Sequence, residues 1–178
     1  GEMEISTPLD LSDCKIGSSI CCNGVCLTAI DIRKKNDKFY FKVNIGEETL
    51  LRTNFSHNLL NKLNKINLEK SLKIGNEISG HFVYGHVDCI TTLNTVNKLE
   101  NSWEFIFNNF INSDKQFIIE KASIAINGIS LTIANANEKH FTISVINHSY
   151  ENTNFKYLQK NDKVNIEFDY LARFILKK

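Results

Sequence analysis

The strongest constraint on the fold of this chain is an internal repeat. Residues 19–28 (SICCNGVCLT) align with residues 123–132 (SIAINGISLT) at an offset of 104, and six of the ten positions are identical. Collinear matches at a nearly constant offset are typical of gene duplication, so the chain is predicted to contain two copies of one module. Two further motifs recur in the same order: TNF at residues 53–55 and 153–155, and KINLE at residues 65–69, which becomes KVNIE at residues 163–167.

The repeat offset also predicts where each copy begins. The second copy is predicted to open with a strand near residues 80–88 (GHFVYGHVD), and the same offset places the opening strand of the first copy about 24 residues before Gly1. We therefore expect the first module to lack its first strand in the chain as written. The predicted units are an N-terminal module at residues 1–76, a C-terminal module at residues 77–169 and a terminal helix at residues 170–178.

Within each copy the residue pattern favours β-structure. Residues 38–45 (KFYFKVNI) and 140–146 (HFTISVI) alternate between apolar and polar side chains, as half-buried strands do. The Asn-Gly pairs at residues 23–24 and 127–128 tolerate positive φ and favour tight hairpins. Further strands are predicted at residues 65–69, 103–108, 117–126 and 163–169.

Helix is predicted at only two places, residues 56–63 and residues 169–175, where apolar side chains have helical spacing. Short strands with regular turn signals favour closed barrels, because closure removes exposed sheet edges. The predicted fold class is all-β, with two tandem β-barrels related by internal duplication and a C-terminal helix. The apolar face of that helix is a candidate oligomer contact.

The overall composition argues against several classes of partner. The net charge is +1, from 21 basic and 20 acidic residues, which gives no electrostatic footprint for nucleic acid or an anionic membrane. No run approaches the roughly 18 apolar residues of a membrane span, and residues 1–4 (GEME) do not resemble a signal peptide. Five cysteines without a Cys-x-x-Cys pair favour reduced thiols over a metal or disulfide framework. We expect a cytoplasmic protein without metal, nucleic acid or membrane partners.

Each copy of the ten-residue box predicts two polar side chains on one face of a strand. Cys26 and Thr28 in the first copy, and Ser130 and Thr132 in the second, are two residues apart and therefore point the same way. A hairpin needs only the Asn-Gly turn and apolar neighbours. The occurrence of both polar positions in both copies favours a functional pair over a purely structural hairpin.

Residues 80–88 contain two histidines and are the other concentration of polar side chains. On a strand, His81 and His86 would face opposite sides, which argues against a shared metal. A structural, hydrogen-bonded histidine is the ordinary interpretation, but His86 could move protons if it lined a cavity. By the same reasoning, Lys121 is a solvated surface lysine and Asp169 is the N-cap of the terminal helix.

Together these motifs resemble those of the riboflavin synthase family, the trimeric α type with lumazine-binding tandem barrels. The resemblance covers essentially the whole chain. It is carried by residues 23–28 (NGVCLT), 48–54 (ETLLRTN), 80–88 (GHFVYGHVD), Lys121 with 127–132 (NGISLT), and 165–169 (NIEFD).

The resemblance implies two six-stranded barrels, each of which holds one 6,7-dimethyl-8-ribityllumazine. Two of these molecules would dismutate, giving riboflavin and 5-amino-6-ribitylamino-pyrimidinedione. The active site would lie between the N-terminal barrel of one subunit and the C-terminal barrel of its neighbour in a homotrimer. No cofactor is implied, and lumazine synthase is a further partner that the family suggests.

The resemblance also assigns residue roles. The candidates for the reacting centre are Ser130, Thr132, Cys26 and His86. Ring edges and ribityl hydroxyls would be bound by Ser19, Thr28, Thr49, Lys121, Ile146, Ser149 and Asp169.

Three departures from the family pattern and two competing functions remain. The usual Met-Phe-Thr-Gly opening is absent, Asn127 stands where the family often has Asp, and Ser149 replaces a Thr. The main alternative is a non-catalytic protein of the same fold that binds lumazine or flavin. A barrel that binds single-stranded nucleic acid is disfavoured by the near-zero charge.

Overall fold

The computed structural model of the chain describes residues 1–58 and 65–176. Its N-terminal half contains strands β1 (Glu2–Thr7), β2 (Ser19–Cys22), β3 (Val25–Lys35), β4 (Lys38–Asn44) and β5 (Leu68–Lys70), with helices α1 (Glu47–Arg52) and α2 (Phe55–Asn58). Its C-terminal half contains β6 (Cys89–Lys98), β7 (Ser102–Asn108), β8 (Ser123–Ile126), β9 (Ile129–Ala136), β10 (His140–Ile146), α3 (Asn147–Asn152), β11 (Lys163–Phe168) and α4 (Tyr170–Leu176). The prediction of an all-β, duplicated fold with a C-terminal helix is confirmed.

The two halves share a topology but differ in closure. The C-terminal half is a closed barrel in the order β10-β7-β6-β11-β8-β9, whereas the N-terminal half is a sheet of five strands in the order β1-β4-β3-β2-β5. The repeat matches β2 to β8, β3 to β9, β4 to β10 and β5 to β11. Because β1 pairs with β4 as β7 pairs with β10, β1 is the counterpart of β7.

Strand β6 therefore has no counterpart in the described ranges of the N-terminal half. In the C-terminal half β6 pairs with both β7 and β11, and so closes the barrel. Without such a strand, β1 and β5 are the two edges of an open sheet. A cavity of about 490 Å³ lies along this opening, lined by β1, Phe55 and residues near the start of β5.

Both Asn-Gly pairs form the tight hairpins that the sequence predicts. Asn23 and Gly24 have φ of 53° and 83°, and Asn127 and Gly128 have φ of 50° and 84°. The two turns lie back to back, since a Cβ on Gly24 would stand 2.7 Å from the backbone N of Gly128. These glycines are therefore required both by the turn and by the close approach of the two halves.

A buried network of asparagines joins the halves. The network is reciprocal: the backbone N of Asn54 donates to Asn165 Oδ1 at 2.7 Å, and the backbone N of Asn154 donates to Asn67 Oδ1 at 2.8 Å. Such hydrogen bonds offset the cost of burying polar groups and fix the orientation of the two modules. The six members come from the three repeated motifs: Asn23, Asn54, Asn67, Asn127, Asn154 and Asn165.

Each half has its own apolar core. The C-terminal core is rich in phenylalanine, with Phe105, Phe107 and Phe141 fully buried inside the barrel. The N-terminal core is built around Ile20, Phe41, Val43 and the other inward residues of β2 to β4. The interior of each half is therefore occupied by packed apolar side chains.

Several local predictions differ from the structure. Residues 80–88 contain no strand, because the second module's first strand begins at Cys89. Residues 117–122 are likewise not extended: a 3₁₀ helix ends at Phe117 and β8 begins at Ser123. Helices α1 and α3 were not predicted, because six residues are too few to show a helical period.

The two predicted helices are present at least in part. Helix α2 begins at Phe55, and the remainder of the helix predicted at residues 56–63 falls outside the described residues from 59 onwards. The terminal helix α4 matches its prediction closely, and Asp169 Oδ1 accepts the backbone N–H of Leu171 at 3.0 Å, as expected for an N-cap. None of the described helices is long and apolar enough to cross a membrane.

Candidate functional site

The two polar pairs of the repeated box lie on the outer faces of their sheets. Along β3, Val25, Leu27 and Ala29 are buried, whereas Cys26 and Thr28 between them are exposed. The alternation on β9 is similar, with Thr132 exposed beside the buried Ile133. The prediction that each pair shares one strand face is therefore confirmed, and that face is the outside of the module.

Cross-strand pairing adds Ser19 to this surface. Ser19 lies directly opposite Thr28 in the β2–β3 hairpin, and Ser123 lies opposite Thr132 in the β8–β9 hairpin. Directly opposed residues of an antiparallel pair have Cβ atoms about 4.5–5.5 Å apart. Each half thus presents three polar side chains on one patch of its outer surface.

A cavity of about 390 Å³ covers the N-terminal patch. It is lined by Ser19 and Cys26, by Glu69 on β5, and by residues 77–84 of the segment that connects the two halves. The cavity combines hydroxyl, thiol and carboxyl groups with the apolar side chains of Ile78, Phe82 and Val83. This mixture suits a flat ring that carries a polar chain.

The segment at residues 80–88 lies between the two polar patches. The backbone N of Cys26 donates to the carbonyl oxygen of Gly85 at 2.8 Å. At the other end of the segment, the backbone N of His81 donates to Ser130 Oγ at 3.2 Å. Gly80 and Gly85 permit these approaches, since a Cβ on either would stand 2.7 Å from an atom of Ser130 or Cys26.

Ser130 is paired with His81, a contact that the sequence did not predict. His81 Nδ1 lies 2.7 Å from Ser130 Oγ. Because Ser130 Oγ already accepts the backbone N–H of His81, its own hydrogen is free to donate to Nδ1, which leaves the ring proton on Nε2. Burial lowers the pKa of His81, against the opposing influence of the Asp169 and Glu167 carboxylates. The neutral ring is suited to proton transfer.

The Nε2 atom of His81 faces no protein partner. It is buried and accepts or donates no hydrogen bond within the described part of the chain, although His81 lines the same cavity as Cys26. The sequence signal for His81 was present in residues 80–88. The contact with Ser130 was not predicted because residues 80–88 were expected to form a strand, and they form a loop instead.

His86 occupies a different position from His81. Its ring is exposed and stacks beside Tyr84, with ring centroids 6.3 Å apart. It lines a separate cavity of about 310 Å³ with Glu48 and Arg52 of α1 and residues at the start of α4. Of the two loop histidines, His81 is therefore the one that contacts Ser130.

Two of the remaining predicted binding residues occupy equivalent places in the two repeats. Thr49 lies on α1 and Ser149 on α3, and their carbonyl oxygens accept the hydroxyls of Thr53 and Thr153 at 2.6 and 2.7 Å. Ile146 immediately precedes α3 and is 59% exposed.

Lys121 and Asp169 lie at the ends of the C-terminal patch. Lys121 is exposed, has φ of 69° and donates its backbone N–H to the carbonyl oxygen of Ile133 at 2.8 Å. Asp169 caps α4 and contributes to the field at His81. Lys121 thus lies just before β8 and Asp169 just after β11.

The cysteines are free thiols in the structure. Burial raises the pKa of Cys22 and of Cys89 to about 12, which makes both thiols inert. Cys26 is the exposed one. Among the residues that the structure describes, no group of three or more His, Cys, Asp or Glu side chains could hold a metal ion.

Comparison with known proteins decides the family. The lumazine binding domain family matches this chain twice, at residues 1–71 and 84–169. The riboflavin synthase of Brucella abortus (strain 2308) is 37% identical over 176 residues, which cover 97% of this chain and 84% of that protein. The riboflavin synthase of Bacillus subtilis (strain 168) is 34% identical over 167 residues, which cover 94% and 74%.

This chain belongs to the riboflavin synthase family. The two matched ranges coincide with the two β-structures described above, so the family domain occurs once in each repeat. The members of this family to which the chain is similar are enzymes, and the resemblance seen in the sequence motifs is confirmed.

Solved structures of similar fold include LumP in complex with 6,7-dimethyl-8-(1'-D-ribityl) lumazine. That structure superposes with a TM-score of 0.74 at 24% identity, covering 93% of this chain and 86% of LumP. LumP in complex with riboflavin superposes with a TM-score of 0.75 at 21% identity, covering 94% and 88%. At these identities the similarity establishes the fold of this chain and says nothing about which ligand it binds.

Proposed function

We propose that this protein is a transferase that converts two molecules of 6,7-dimethyl-8-ribityllumazine into riboflavin and 5-amino-6-ribitylamino-pyrimidinedione. The observation that carries the proposal is the repeated polar patch, present in both halves of a chain whose relatives are riboflavin synthases. A dismutation needs two sites for the same molecule. A duplicated module supplies them.

The chemistry explains why the patches need these side chains. The 7-methyl group of the donor lumazine is acidic, since its carbanion delocalises into the ring, so the reaction needs a positioned base and close stacking of two flat rings. Holding two reactants in register can lower a barrier by up to about 7–11 kcal/mol. We infer that Ser130 and Thr132 act on one ring and that Cys26 acts on the other.

The paired His81 supports a proton-transfer role for Ser130. A hydroxyl that donates to a neutral imidazole at 2.7 Å can pass a proton to it without a change of position. Cys26, by contrast, is exposed, and its backbone N donates to the carbonyl oxygen of Gly85. His86 lines a different cavity together with Arg52, and we assign it a supporting role rather than proton transfer with Ser130.

Substrate contacts are assigned to the polar groups around each patch. We propose that each half binds the ring edges and ribityl hydroxyls of one lumazine with its own set of residues. The N-terminal set is Ser19, Thr28 and Thr49, and the C-terminal set is Lys121, Ile146, Ser149 and Asp169.

We propose that the protein assembles as a homotrimer in the cytoplasm, with N-terminal and C-terminal patches of neighbouring subunits facing one another. The outer position of both patches supports this arrangement, because an open surface needs a second surface to exclude water from two stacked rings. Helix α4 supports it too, since Leu171, Phe174 and Ile175 are each 68–73% exposed. Association with lumazine synthase is a further proposal that would shorten the path of the substrate.

The N-terminal module is proposed to need a sixth strand between β1 and β5. The support is the closed C-terminal barrel, in which β6 occupies the equivalent place, and the cavity that lies along the opening. Such a strand would complete the unit proposed for residues 1–76. It would also stabilise β5. Among the described strands β5 pairs with β2, so a strand on its other side would add a second set of backbone hydrogen bonds.

Incubation with the lumazine alone tests the function. Riboflavin should form in half the molar amount of substrate consumed, with no added cofactor, and absorbance spectra would follow both compounds. The alternative is a non-catalytic protein that binds lumazine or flavin, and the similarity in fold to LumP is the reason to test for it. Tight binding with a fluorescence change, and no riboflavin under the same conditions, would establish the binder and reject the enzyme.

A further inference from the structure

The loop that carries both histidines, residues 80–88, has no secondary structure of its own. Backbone N–H groups that are not paired in a sheet or helix need other partners when they are shielded from water. Three anchors supply them here. Ser130 Oγ accepts the N–H of His81 at one end, and at the other end the backbone N of Asp88 donates to Ile166.

The third anchor is Glu167, which holds the middle of the loop with both carboxylate oxygens. Glu167 Oε1 accepts the backbone N–H of Tyr84 at 2.7 Å, and Oε2 accepts the backbone N–H of His86 at 2.8 Å. The side chain lies on β11 and is only 6% exposed. Hydrogen bonds from neutral donors to a buried carboxylate are short and strong, so this pair of contacts fixes the loop by its backbone.

The equivalent residue of the other repeat, Glu69, has different surroundings. Glu69 lies on β5 at the position that matches Glu167, and its Oε2 is buried with no hydrogen-bond partner among the described residues. Burial raises the pKa of Glu69 to about 7. Among the described residues, Glu69 therefore lacks the pair of backbone N–H donors that Glu167 has.

Asp88 ties the end of the same loop to the terminal helix. Its Oδ2 accepts the backbone N–H of Phe168 at 2.9 Å, and its Oδ1 pairs with the guanidinium of Arg173 on α4. Both ends and the middle of the loop are thus attached to β11, β9 or α4. The loop has little freedom to move His81 away from Ser130.

We infer that Glu167 is a positioning residue for the reaction, one that acts by clamping the loop so that His81 reaches Ser130. The inference rests on the proposed function for its catalytic consequence, but the clamp itself is a property of the folded chain. Glu167 does not touch the proposed reacting atoms. Its carboxylate sets the backbone of Tyr84 and His86, and the contact between His81 and Ser130 follows from that.

Backbone amide spectra test the clamp directly. In the wild-type protein the amide protons of Tyr84 and His86 should resonate downfield and exchange slowly with solvent. In Glu167→Gln, one of the two donors faces an amide NH₂, so at least one of these protons should exchange about 10-fold to 100-fold faster. The matched control is Glu104→Gln, a glutamate on β7 that accepts from the Asn97 side chain, which should leave both amides unchanged.

Steady-state kinetics test the consequence for the reaction. Glu167→Gln should lower kcat at least about tenfold with KM nearly unchanged, because the loop positions the proton-transfer pair rather than the ring-binding groups. Glu104→Gln should retain wild-type values of both.

The outcomes separate the inference from the proposed function. A wild-type protein that makes no riboflavin rejects the function, while the amide data still decide the clamp. Fast-exchanging amides at Tyr84 and His86 in the wild type overturn the clamp even if the Glu167→Gln protein does not fold. A folded Glu167→Gln protein with altered amides but unchanged kcat overturns the positioning role.

Discussion

The two halves of this molecule are copies of one module, but within residues 1–58 and 65–176 they differ in closure: the C-terminal half is a closed barrel and the N-terminal half is a five-stranded sheet. The C-terminal half closes because β6 bridges β7 and β11. The N-terminal half has the same hairpin, the same helix and the same asparagines, but no strand of its described residues joins β1 to β5. The comparison shows that the motifs shared by both copies serve the hairpin and the junction, whereas closure depends on a single strand.

The halves also differ at their polar patches. Ser130 has a histidine partner at 2.7 Å, whereas the backbone N of the matching Cys26 donates to the carbonyl oxygen of Gly85. Likewise Glu167 accepts two backbone N–H groups, whereas Glu69 Oε2 has no hydrogen-bond partner among the described residues.

The largest expected difference is in catalysis. We expect Ser130→Ala to lower kcat by about 10²–10⁴, the range typical of lost general acid–base catalysis, and Cys26→Ala to act mainly on KM. Riboflavin formation at saturating and limiting lumazine measures both constants. If Cys26→Ala lowered kcat more than Ser130→Ala, the assignment of proton transfer to the C-terminal half would be wrong.

The next effect compares two equivalent core residues. Phe55 and Phe155 are 2% and 1% exposed, so truncation of either should cost about 3–5 kcal/mol of unfolding free energy. Phe155→Ala should lie at the upper end, because the closed barrel can collapse less around a cavity. Urea unfolding of both variants measures this, and a clearly larger loss for Phe55→Ala would show that the open half is the more rigid.

A smaller effect concerns Glu69 and pH. Its folded-state pKa of about 7 lies above the ordinary value of 4.5, so the folded protein binds more protons than the unfolded chain between these two values. Its contribution to stability is therefore lost as the pH rises from about 4.5 to 7, by up to about 3 kcal/mol.

Glu69→Gln should remove this part of the pH dependence. The difference in unfolding free energy between wild type and variant, measured across the same pH window, provides the test. A pH-independent difference would mean that Glu69 titrates normally and that its oxygen has a partner in solution.

The smallest expected effect lies at the edge strand β1. Arg33 pairs with Glu4 on β1 at 2.6 Å and with Asp31 at 2.9 Å, and all three side chains are more than 40% exposed. Exposed pairs of this kind contribute about 0–1 kcal/mol, so Arg33→Ala should change stability little and less still at high salt. A loss above that range would indicate that the open edge depends on this ion pair.

The sequence by itself determined the duplication, the all-β class, both hairpin turns and the terminal helix. These follow from signals that are local: the Asn-Gly turns require positive φ, alternation marks the strands, and the collinear motifs report the repeat. The positions of the polar pairs on one strand face were predicted for the same reason.

Only the tertiary structure decided how these parts meet. The asparagines of the three motifs are ordinary turn or strand residues until the two halves pack and bury them together. The His81–Ser130 contact and the Glu167 clamp join residues 49 and more than 80 positions apart, through a loop with no periodicity to read. Side-chain direction in such a loop is set by its distant anchors, so no pattern along the chain could have specified it.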